Sequence, residues 1–184
     1  MTLFARWQSE RSISRRAESY LLLAVKQPDT ADARWLASAA TGGDHDHAEW
    51  ELRYARIALL LLTARRDALD DRTGSIVAER LQGVLARHPH FAGAHRAVYE
   101  RQLNSRLRSY GDALAERDAH GTTGERLGRT LLGYAGATAP DAAHVARAGE
   151  LLTVMLLEAN EGLRAAFGTA SLPDDRRPSD LAPR

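Results

Sequence analysis

The stretch Asp44-His45-Asp46-His47-Ala48-Glu49-Trp50-Glu51 concentrates imidazoles and carboxylates more densely than any other part of the chain. His47 and Glu51 are four residues apart, which places both on one face of a helix, where two side chains can share a cation. His45, His47 and Glu51 are therefore the candidate metal ligands. A transition metal needs one or two more protein groups. Of the remaining imidazoles, His88, His95, His120 and His144 follow no spacing that makes them converge. The competing reading is a helix start, in which the acids complement the positive helix end and Glu49 pairs with Arg53. A di-iron bundle would carry Glu-x-x-His and a zinc protease His-Glu-x-x-His, and neither string occurs. The expectation is thus no stoichiometric metal and no cofactor. On that reading, replacing His47 and Glu51 together by alanine costs about 1 kcal/mol or less.

Other candidates are thinner. His88 and His95 fall on apolar stripes near a turn, where a histidine is a packed boundary residue or a group that titrates near neutrality. Asp67, Asp70 and Asp71 read as turn and cap residues. Serine, histidine and aspartate all occur, but without the Gly-x-Ser-x-Gly elbow of a hydrolase. Gly121, Gly124, Gly128, Gly133 and Gly136 lack phosphate-loop spacing. Glycine inside a helix costs roughly 1 kcal/mol against alanine, so Gly128 and Gly133 want a reason. Close approach of another helix is the first, and a flat ligand lying along Gly124–Gly136 the second. Arg6, Arg11, Arg15 and Arg16 make a basic stretch that a solvated helix face accounts for.

Composition narrows the classes further. The chain has 184 residues, 44% hydrophobic and 27% charged, an ordinary globular balance. With no cysteine, disulfides, thiolate nucleophiles and Cys-type metal sites drop out. A net charge of +1 is a poor footprint for binding many phosphates, so nucleic acid is not the expected partner. The longest apolar runs, around Ile57–Leu62 and Leu151–Leu157, fall well short of the roughly 18 residues of a membrane span. No basic head and apolar stretch open the chain in signal-peptide order, so the expected location is cytoplasmic.

What must position these residues is a set of helices, because period-two alternation is lacking and helical periodicity recurs throughout. The pattern predicts helices over about 2–26, 30–40, 46–69, 74–88, 90–119, 123–136 and 140–168. Asp46-x-x-Glu49 and Thr122-x-x-Glu125 have capping-box form, Gln27-Pro28 ends the first helix, and Pro140 opens the last. The third helix carries apolar residues on two neighbouring stripes and should be central, while the seventh, apolar all round, should be the most buried. The expected fold is all-α: one bundle of about seven helices over 1–168, with a disordered Pro-rich tail over 169–184. The expected function is a non-catalytic protein-interaction module, with a protein partner or a second copy of itself and no membrane. The alternative is a small metal or flat-ligand site near Asp44–Glu51 or the Gly124–Gly136 helix.

Overall fold

A computed structural model describes residues 3–67, 71–91, 96–115 and 121–168. Among them are seven α-helices and no strand: α1 Leu3–Leu21, α2 Thr30–Ala39, α3 His45–Asp67, α4 Asp71–Ala86, α5 Arg96–Ala115, α6 Thr123–Tyr134 and α7 Ala142–Phe167. Short 3-10 turns at Leu22–Val25 and Pro89–Phe91 join the set. The all-α class is as the periodicity predicts. His95, His120, Asp70 and the tail over 169–184 lie outside the described residues, and no described helix is long and apolar enough to cross a membrane.

Capping chemistry sets the helix starts. Asp29 accepts from the amides of Ala31 and Asp32 ahead of α2, and Asp141 from that of His144 ahead of α7. Thr122 and Glu125 form the expected reciprocal box at α6. At α3 the cap is Asp44, which accepts from the His47 amide at 3.0 Å, two residues earlier than the Asp46–Glu49 box predicts. Either aspartate can cap, and the earlier start extends the helix over His45 and Asp46. Pro140 stands before the Asp141 cap rather than inside the first turn. Of the predicted fifth helix the described residues give Arg96–Ala115, and at its expected start Pro89–Phe91 forms its own tight turn. Gly42 and Gly43, at φ 65° and 95°, make the α2–α3 loop in a region that other residues rarely adopt.

The core is built around α3. Every residue from Glu51 to Leu60 is buried, and α2, α4, α5, α6 and α7 all pack on this helix. The α1 helix reaches it through Tyr20, whose hydroxyl donates to the Leu60 carbonyl at 2.8 Å. Complete burial forces the charges on α3 to find partners, since an unpaired buried charge is very costly. Arg53 donates to Gln27 and Glu49, and Arg56 to Glu158, which Lys26 also reaches.

The expectation that α7 is the most buried helix is not met. Val154 and Leu157 are each 56% exposed, because α6, α3 and α1 cover one side of α7 and its apolar run extends round the other. Among the described residues, the contact with α6 is the most extensive between any two helices. A side chain on Gly128 would stand 2.8 Å from the Gly149 nitrogen, and one on Gly149 would stand 2.7 Å from the Gly124 carbonyl carbon. Close helix approach is therefore the reason for Gly128 but not for Gly133, a side chain on Gly124 would meet only ordinary contacts at 3.6 Å and beyond, and α7 occupies the side on which a flat ligand was the second expectation. Gly133 faces open space and Gly136 ends the helix at φ 100°.

Candidate functional site

The Asp44–Glu51 stretch forms the first two turns of α3 and one wall of an open cleft of about 520 Å³. Val98, Tyr99, Gln102 and Arg106 of α5 form the opposite wall, and Phe91 of the 3-10 turn closes one end. Four rings pack in sequence along this surface. Trp50 lies 5.7 Å from Tyr54 and 5.5 Å edge-on from Phe91, Tyr54 stacks on Tyr99 at 5.6 Å, and Phe91 meets Tyr99 at 4.9 Å. Such pairs contribute about 0.5–1.5 kcal/mol each beyond their buried area, so the wall is stiff. Val98, at the lip, is 49% exposed.

Of the predicted metal ligands, His47 and Glu51 come together and His45 does not join them. The His47 Nε2 atom lies 3.5 Å from Glu51 Oε1. His45 is exposed and is not among the residues lining the cleft. Glu51 itself is only 1% exposed, and both its oxygens are taken by Arg106: Nε donates to Oε2 at 3.0 Å and Nη2 to Oε1. A bidentate guanidinium neutralises the carboxylate and takes a lone pair of each oxygen, which weakens it as a metal ligand. The described residues contain no group of three or more His, Asp or Glu side chains able to hold a metal ion. His144 pairs with Asp141 at 3.0 Å and lies near Trp35, and His88 lies against Phe91.

Arg106 is the residue of this cleft that spacing alone does not single out. Its guanidinium lies 4.9 Å from the Tyr54 ring centroid and 4.3 Å from that of Tyr134. Burial alone would lower its pKa, but the Glu51 carboxylate outweighs that and raises it. The Tyr134 hydroxyl is held by the Ser109 and Ser105 hydroxyls at 2.7 and 3.0 Å, so the ring that covers the cation is itself fixed. A signal was present in the sequence: Arg106 falls between Leu103, Leu107 and Tyr110 on the apolar face of α5, as Glu51 falls between Leu52 and Tyr54 on α3. Two opposite charges set into the apolar faces of two helices are candidates for each other.

Behind the pair, the Tyr110 hydroxyl is fully buried and, among the described residues, has no hydrogen-bond partner. Burial, with the Glu51 charge added, raises its pKa well above the usual phenol value. Leaving a hydroxyl unpaired costs roughly 1–3 kcal/mol, whereas removing it leaves only a small void. Tyr110→Phe is therefore expected to leave stability unchanged or to raise it by about 1 kcal/mol, measured by urea unfolding. A loss above about 1 kcal/mol would mean that the hydroxyl has a partner.

A second groove of about 830 Å³, between α4 and α5, is floored by Leu61, Leu62, Gly74 and Gly111, with no aromatic lining. The α3–α5 cleft is thus distinguished by a rigid aromatic wall, a buried ion pair and a rim of exposed aspartates. Against this geometry, no family model matches the chain, and neither a curated protein nor a solved structure is similar to it.

Proposed function

We propose that the protein is a non-catalytic helical interaction module and that the α3–α5 cleft is where a protein partner docks. One observation carries this reading: a half-exposed aliphatic lip, Val98, stands beside a wall of Trp50, Tyr54, Phe91 and Tyr99 in an open cleft. Aromatic residues and arginine are the types enriched where proteins meet, and anchors of this kind dominate binding energy. The deep polar groups favour binding over catalysis. Glu51, the one buried acid among the described residues, is spent on Arg106, so it is a fixed counter-charge rather than a base poised to take a proton.

The test uses a photoreactive benzoyl-phenylalanine in place of Val98, with Val154 on α7 as the control position. A specific protein, a second copy included, should be captured from 98 and not from 154. Once purified, that protein should bind the unmodified chain at least tenfold more tightly than it binds the Val98→Asp variant. Equal binding to both, or equal capture at both positions, would place docking elsewhere and overturn the proposal.

The alternative, a metal held by His45, His47 and Glu51, has the His47–Glu51 approach in its favour. It requires Glu51 to share its charge with, or leave, Arg106. Elemental analysis of protein purified without an affinity tag decides it, and near one metal per chain would promote it.

A further inference from the structure

We infer that the cleft selects its partner by a cationic side chain, which enters between the Asp44–Asp46 rim and the aromatic wall. The inference rests on the docking role proposed above and adds a chemical rule to it. Among the described residues, the charges lining the cleft do not balance. Asp44, Asp46 and Glu51 contribute three carboxylates, and the one guanidinium, Arg106, is committed to Glu51. The amino end of α3 offsets part of the remainder, since Asp44 caps it, but a helix end carries only about half an elementary charge against two carboxylates. The rim therefore attracts cations and repels acidic segments.

The wall adds a second preference in the same direction. Ring faces attract cations through their quadrupole, most strongly where water is excluded. The chain already uses that arrangement on itself: Arg106 lies against Tyr54 and Tyr134 with Glu51 as counter-ion, and Arg53 lies 5.8 Å from the Trp50 ring with Glu49 beside it. A partner's arginine or lysine would place its aliphatic stem against Val98 and its head towards the rim, as long basic side chains do at apolar edges.

The experiment titrates the full chain at low salt with the capped peptide Ala-Leu-Arg-Leu-Ala, and follows the indole resonance of Trp50, assigned with Trp50→Phe. Three comparison peptides carry lysine, citrulline or glutamate at the centre. Citrulline keeps the shape of arginine and removes its charge. The arginine and lysine peptides should shift the resonance saturably, with citrulline at least tenfold weaker and glutamate without effect. The variant Asp44→Asn/Asp46→Asn keeps the helix start, because asparagine caps about as well as aspartate. It should melt with the parent chain and bind the arginine peptide about tenfold more weakly, the scale of two exposed ion pairs.

Citrulline binding as tightly as arginine, no shift with any cationic peptide at about 10 mM, or an unchanged affinity in the asparagine variant would each overturn the inference. Tetramethylammonium displacing the arginine peptide at lower concentration than the peptide itself would also overturn it, by assigning the cleft to a free organic cation. Capture at position 98 is independent of all these outcomes. If that capture succeeds and the peptides fail, the docking reading stands and the charge rule falls.

Discussion

Replacing Gly149 by alanine is expected to cost about 3 kcal/mol, or roughly 10 °C in melting temperature for a domain of this size. Alanine is the better helix former by about 1 kcal/mol, so the sign depends on what the new methyl meets. At Gly149 it meets the backbone of α6, with the Gly124 carbonyl carbon at 2.7 Å. Backbone cannot turn aside as a side-chain tip does, so the two helices must separate. Leu127, Leu131, Leu132, Val145, Ala148 and Leu152, all buried, then lose close contact together. Gly128→Ala should behave alike, with the Gly149 nitrogen at 2.8 Å. Gly133→Ala supplies the opposite sign. Nothing lies within 4 Å of a methyl at that position of α6, so only the propensity gain remains, and stability should rise by up to about 1 kcal/mol. Thermal and urea unfolding of the three variants check the contrast. A harmless Gly149→Ala would mean that α6 and α7 stand further apart.

These glycines mark the boundary of what the sequence makes readable. That Gly128 and Gly133 want a compensating neighbour follows from helix propensity, but which of them has one is a tertiary fact: Gly149 of α7 lies against Gly128, and Gly133 faces open space. Periodicity identifies α3 as central because two apolar stripes adjoin on it. It misleads on α7, where apolar residues run all round and the bundle covers only one side, leaving Val154 and Leu157 exposed. The start of α3 is misread by two residues because Asp44 and Asp46 are both competent caps, and only the packing of the preceding loop chooses between them. The stretch Asp44–Glu51 does mark the cleft, but local spacing suggests a cation for His47 and Glu51. The ligand that Glu51 has in fact comes from Arg106, 55 residues away, a separation that no local pattern reports.

Glu51 accordingly changes from a dispensable residue at a helix start to one of the most sensitive positions in the molecule. Taken as a solvated helix-start side chain, it would cost about 1 kcal/mol or less to replace even together with His47. Because Glu51 is buried and paired, its loss leaves Arg106, whose side chain is 11% exposed, without a counter-charge. Breaking a buried pair by removing one member costs about 3–5 kcal/mol, a large share of the 5–15 kcal/mol that holds a typical domain folded. Glu51→Gln and Arg106→Met are each expected to lose that much in urea unfolding. His47→Ala, which gives up only a 3.5 Å approach from a half-buried imidazole, should lose under about 1 kcal/mol. Replacing both charges, as Glu51→Met/Arg106→Met, removes the desolvation cost along with the attraction. The double variant should recover most of the loss, falling short by about 1–2 kcal/mol for the contacts that Arg106 makes with Tyr54 and Tyr134. The cycle separates the two roles open to Glu51. A carboxylate that served a metal would make Glu51→Gln and His47→Ala equally damaging and leave Arg106→Met mild. A carboxylate that serves Arg106 makes the Glu51 and Arg106 variants equally damaging and their combination milder than either.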